Sequence, residues 1–159
     1  NNQHAEAVEA YQNYLDYFPK SLQNVQAHNI YQGYFAQQKL KQAPKDPTLL
    51  NNAGQAFLAR GEYTTALVYL HDAQRFAPEN AVIAYNLGLA HLGLKDWNQA
   101  THAFAQAIAL NPKYSKAHYN LGIVYYQQGD LDKARQHWQR AVELNPEFEA
   151  ARQALEALR

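Results

Sequence analysis

Seven histidines, together with three acids that recur at the same place every 34 residues (Glu62, Asp96 and Asp130), are the side chains here with the chemistry to ligate a metal or relay a proton. Their spacing argues against both uses. A helix that holds zinc offers histidines one turn apart, as in His-x-x-x-His, and no pair in this chain is so placed. His91 shares a column with Phe57 and Tyr125, His118 shares one with Leu50 and Ala84, and His71, His102 and His137 fall in different phases of their segments. The three acids stand where a helix begins, and a carboxylate there caps free N–H groups and complements the helix dipole. Gly-x-x-x-x-Gly-Lys, Gly-x-Ser-x-Gly and His-Glu-x-x-His, the signatures of phosphate, acyl and zinc chemistry, are all missing from the sequence. No catalytic residue, no metal and no cofactor are therefore expected.

The elements that would position these side chains repeat. Asn52-Ala53-Gly54, Asn86-Leu87-Gly88 and Asn120-Leu121-Gly122 are 34 residues apart, and the same period carries Ala66, Ala100 and Ala134, then Ala73, Ala107 and Ala141, then Pro78, Pro112 and Pro146. A fixed period of this length is the mark of a stacked array. Within the unit 115–148, Leu121, Gly122 and Tyr125, then Ala134, Trp138 and Ala141, fall three or four residues apart, which predicts two amphipathic helices. Gln128-Gly129-Asp130 between them supplies a glycine to stop one helix and an aspartate to cap the next, and Pro146 ends the second. Gly122 and Ala134 should face inward so that the helices approach closely, with Tyr125 and Trp138 filling the space. The unit 81–114 puts Lys95 where the turn glycine stands. Either its backbone is left-handed, at a cost of roughly 1 kcal/mol, or Gly93 has taken over the stop. The unit 47–80 has Asp46 as cap and Pro47 as first helical residue.

These columns closely resemble the tetratricopeptide repeat, with its Leu-Gly, Tyr, Gly, Tyr, Ala, aromatic, Ala and Pro at fixed places in thirty-four residues; besides Lys95 in the glycine column, the first aromatic column departs, being Leu50, Ala84 and His118. The resemblance implies an all-α solenoid of antiparallel helix pairs wound as a right-handed superhelix, with three full repeats at 47–80, 81–114 and 115–148 in one domain. It also implies a non-catalytic scaffold or adaptor, whose first helices line a concave groove that takes an extended peptide of a partner. The groove residues it points to are Asn51, Asn52 and Gln55, then Tyr85, Asn86 and Leu89, then Lys116, Tyr119, Asn120, Ile123 and Tyr126. One charge among amides, tyrosines and aliphatics suits a largely uncharged ligand with apolar anchors, and the column Asn52, Asn86, Asn120 can both donate to and accept from a peptide backbone. Chaperone-binding members of the family capture a C-terminal carboxylate with Lys, Asn, Asn, Lys and Arg. Here Asn86 and Lys116 match, while Asn51, Gln55 and Asn120 replace the first Lys, the first Asn and the Arg, removing two of three cations.

The ends follow the period less closely. Ala7, Tyr11, Tyr14, Leu15 and Pro19 have the spacing of a second repeat helix, and 22–42 reads as a further helix before Pro44 and Pro47. Residues 1–46 are read as a partial or atypical repeat that caps the array. The alternative is a self-assembly module, because five tyrosines lie in the first 34 residues and could join copies into a homo-oligomer. Ala151, Ala154, Leu155 and Leu158 predict a capping helix within 149–159.

Composition bounds the partners. Fourteen basic and fourteen acidic residues with no basic run leave no footprint for nucleic acid, and no stretch is apolar enough to insert in a membrane. With 47% hydrophobic residues, 159 residues build a core without staples. Zero cysteines suit several compartments; the cytoplasm is favoured, with the periplasm as alternative. The start at Asn1-Asn2-Gln3 suggests a trimmed or processed chain.

Overall fold

The computed structural model describes residues 45–158, and every regular element within them is a helix. The order is α1 (Pro47–Ala59), α2 (Tyr63–Phe76), α3 (Ala81–Gly93), α4 (Trp97–Leu110), α5 (Ser115–Gln127), α6 (Leu131–Leu144) and α7 (Glu149–Glu156). The N-terminal expectations, from Ala7 through the helix at 22–42, lie outside the described residues.

Local chemistry sets most boundaries. Asp46 Oδ1 accepts from the N–H groups of Thr48 at 2.8 Å and Leu49 at 3.2 Å, and Pro47 sits in the first turn where a missing donor costs nothing. Asn80 caps α3 in the same way, accepting from Val82 at 2.9 Å and Ile83 at 3.3 Å. Asp96 and Asp130 accept from the N–H groups of Gln99 and Lys133 at 3.3 and 3.1 Å. Glu62, expected to act alike, does not: no side-chain cap bond forms, and its carboxylate pairs with Arg60 at 2.6 Å. Its extra methylene carries the carboxylate outward, where the guanidinium meets it.

The turn inside the second hairpin is settled in favour of Lys95, which adopts φ 59°, matching Gly61 at 75° and Gly129 at 82°. Gly93 has a different task. A Cβ there would collide with the ring of Tyr63, so the glycine lets α3 lie against the start of α2.

Each hairpin closes over one glycine. Gly54, Gly88 and Gly122 lie under Leu70, Phe104 and Trp138, and a Cβ on them would stand 2.6 Å from Leu70 Cγ, 2.5 Å from Phe104 Cδ1 and 2.5 Å from Trp138 Cδ1. Ala66, Ala73, Ala100, Ala107, Ala134 and Ala141 are wholly buried, completing the close contact. The result is an all-α solenoid of antiparallel helix pairs. Its first helices touch from hairpin to hairpin, α1 against α3 and α3 against α5, whereas α2 and α4 meet more sparsely, with Gln74 donating to Gln106 at 3.1 Å. A stack pinched along its first helices curves around them, which makes them the inner wall. At the far end α7 packs on α6 through buried Ala151, with Leu155 and Leu158 half-buried.

Candidate functional site

The inner wall carries the residues singled out from the sequence, but in two different states. Asn51, Asn52 and Gln55 on α1, Tyr85 and Leu89 on α3, and Tyr119 and Ile123 on α5 are half-buried; Lys116 is exposed and Tyr126 is 47% exposed. Asn86 and Asn120, by contrast, are buried. Their amides serve the neighbouring hairpin: Asn86 Nδ2 donates to Asn51 Oδ1 at 2.8 Å, and Asn120 Nδ2 donates to Tyr85 Oη at 2.9 Å. Each bond spans 35 residues, one repeat plus one position. The asparagine column thus stitches the stack together, and of its three members only Asn52 makes no side-chain hydrogen bond within the described residues.

The aromatic residues of the wall are similarly supported. Tyr85 packs tilted on Tyr114 at 4.8 Å and on Phe104 at 5.7 Å between ring centres. Burial pushes its hydroxyl up to about 12, the neighbouring Tyr114 adds to this, and the bond from Asn120 opposes it. Tyr119 repeats the arrangement against Phe148 at 4.9 Å, but Ala154 stands where the next asparagine of the column would be. The Tyr119 hydroxyl is therefore left without a protein partner among the described residues. Its backbone carbonyl is held by Trp138, whose Nε1 donates to it at 3.0 Å. Lys116 forms no ion pair among the described residues.

Two histidine contacts escaped the reading by spacing along single helices. His118 and His137 bring their Nδ1 atoms to 3.2 Å across the third hairpin, and His137 stacks on Tyr125 at 5.5 Å and 17°. The signal that finds them is hairpin register: positions 19 apart face each other, as Tyr119 and Trp138 do, and positions 12 apart stack, as Phe57 and Tyr69 do at 5.3 Å. In the second hairpin Ala103 stands at the position of the stacking ring, the His71 ring meets His91 edge-on at 6.3 Å, and among the described residues His91 Nδ1 is buried without a hydrogen bond, 3.7 Å from Asp96 Oδ2. Burial holds His91 below the ordinary imidazole value, with Asp96 pulling the other way. Among the described residues no three ligating side chains gather as a metal site would need. No helix there is long and apolar enough to cross a membrane.

Comparison with known proteins places this geometry. Tetratricopeptide repeat family models match residues 85–147 and residues 1–21. No curated protein matches the chain. Among solved structures, the crystal structure of MamA superposes with a TM-score of 0.72 at 28% identity, over 77% of this chain and 72% of that one. The first TPR of Spaghetti (RPAP3), bound to the HSP90 peptide SRMEEVD, gives 0.69 at 26% identity over 71% of this chain and 90% of its own. The second TPR domain of human RPAP3, in complex with the HSP70 peptide SGPTIEEVD, gives 0.65 at 25% identity, over 70% and 97%. With the period, the glycine crossings and these likenesses in agreement, the chain belongs to the tetratricopeptide repeat family and is a protein-interaction scaffold.

Proposed function

We propose that this scaffold captures an extended, largely uncharged peptide segment of a partner along the wall formed by α1, α3 and α5. The observation that carries the reading is the pinching of the stack along its first helices, which turns their outward side chains toward a common concavity. Two similar structures hold peptides, SRMEEVD and SGPTIEEVD, that end in acidic residues. The wall here offers those acids one cation, Lys116, so carboxylate capture is disfavoured relative to apolar and backbone recognition. Tyr126 and Ile123 would serve as apolar anchors, and the Tyr119 hydroxyl and the Asn52 amide as the hydrogen-bonding groups. Asn86 and Asn120 act beneath them, fixing the spacing of the wall.

A photo-crosslinking amino acid at position 126 tests this, with position 68 on α2, which is 63% exposed, as the comparison. Crosslinked partners at 126 that are lost in Tyr119→Ala and absent at 68 support the groove. Equal capture at both positions removes it.

A further inference from the structure

We propose that the third hairpin carries an acid-released clasp, the His118–His137 ring pair, which ties α5 to α6 while its rings are neutral and lets them part in mild acid. The two Nδ1 atoms face each other at 3.2 Å, with ring centres 5.4 Å apart and planes at 30°. In a neutral pair one Nδ1–H donates and the other Nδ1 accepts. The closed clasp can take one proton and keep that bond, but a second proton sets two N–H groups against each other. An opened hairpin, with both rings in water, takes two. Acid therefore draws the equilibrium toward the open form.

The surroundings reinforce this. On α6, Arg140 places positive charge toward His118. From α5, Tyr125 covers the His137 face, and Lys133 of α6 sits 5.1 Å from the centre of that tyrosine ring. From the α4–α5 loop, the Pro112 carbonyl favours a charged His118. Among the described residues no carboxylate acts on either ring. Burial is the first cause holding both rings below the ordinary imidazole value, and for His137, brought down to about 4, the neighbouring His118 adds to it. A folded value below the unfolded one means that the contribution is complete above about pH 6.5 and is lost as pH falls from there toward 4.

Among the three described hairpins the device belongs to one. The equivalent positions are Leu50 and Tyr69 in the first and Ala84 and Ala103 in the second. Beside the clasp, Trp138 holds the Tyr119 carbonyl, so its emission reports whether α5 and α6 are joined. In a Trp97→Phe background, urea unfolding is followed by Trp138 emission and by helical circular dichroism at about pH 7.5 and about pH 5. The two transitions should coincide at the higher pH, and the Trp138 transition should come first at the lower. His118→Ala/His137→Ala, which installs the second hairpin's own residues, should abolish the separation, and His137→Gln should do so if the double variant fails to fold. Coincident transitions of the parent at about pH 5, or a separation that survives loss of the histidines, overturns the clasp.

Discussion

Asn120 donates its amide to the hydroxyl of Tyr85 at 2.9 Å, and the bond joins two hairpins rather than two turns of one helix. Asn86 makes the same stitch to Asn51 one repeat earlier. A side chain that reads as a ligand contact in a single helix becomes, in the stack, part of what holds the helices in register.

Asn120→Ala should therefore destabilise the fold by about 1–2 kcal/mol, since it removes a hydrogen bond and leaves a largely buried hydroxyl without its donor. Tyr85→Phe in the same chain should cost little more, because the partner is already gone. A double-mutant cycle from urea midpoints checks this, and strictly additive losses would sink the stitch.

Gly88→Ala should cost about 1–3 kcal/mol, since the added Cβ meets Phe104, a wholly buried ring with nowhere to retreat. Gly129→Ala should be destabilising for another reason: nothing lies within 4 Å of its Cβ position, and the cost is its left-handed backbone. Phe104 ring packing, followed by NMR, should change in the first variant alone.

Lys95→Gly should raise stability by about 0.5–1 kcal/mol by relieving φ 59° at a solvent-exposed turn. The effect should show as a higher thermal midpoint with an unchanged helical spectrum. A lower midpoint would mean that Lys95 contributes contacts outweighing its backbone strain.

Once a captured segment is identified by crosslinking, Tyr119→Ala and Tyr126→Ala should each weaken it by about 1–3 kcal/mol without lowering the thermal midpoint by more than a few degrees. Because Lys116 is the one charge on the wall, affinity measured by fluorescence anisotropy should fall by less than about threefold between about 50 mM and about 500 mM salt. A steep salt dependence would instead point to carboxylate capture.

Much of this molecule is legible in its residues read in order. The period of 34, the caps at Asp46, Asp96 and Asp130, the proline stops and the small residues at helix crossings are local or strictly periodic signals, so they declare the solenoid and its helices without coordinates. What passes between helices is different. That Asn86 and Asn120 are spent on Asn51 and Tyr85, that the Tyr119 hydroxyl meets no partner among the described residues, that His118 meets His137, and that Lys95 rather than Gly93 absorbs the turn all depend on rotation and approach of neighbouring hairpins. Helical periodicity assigns a side chain to a face. Only packing decides which atom on the next helix it reaches, because bonds of about 3 Å are made or lost by small shifts in how two helices lie together.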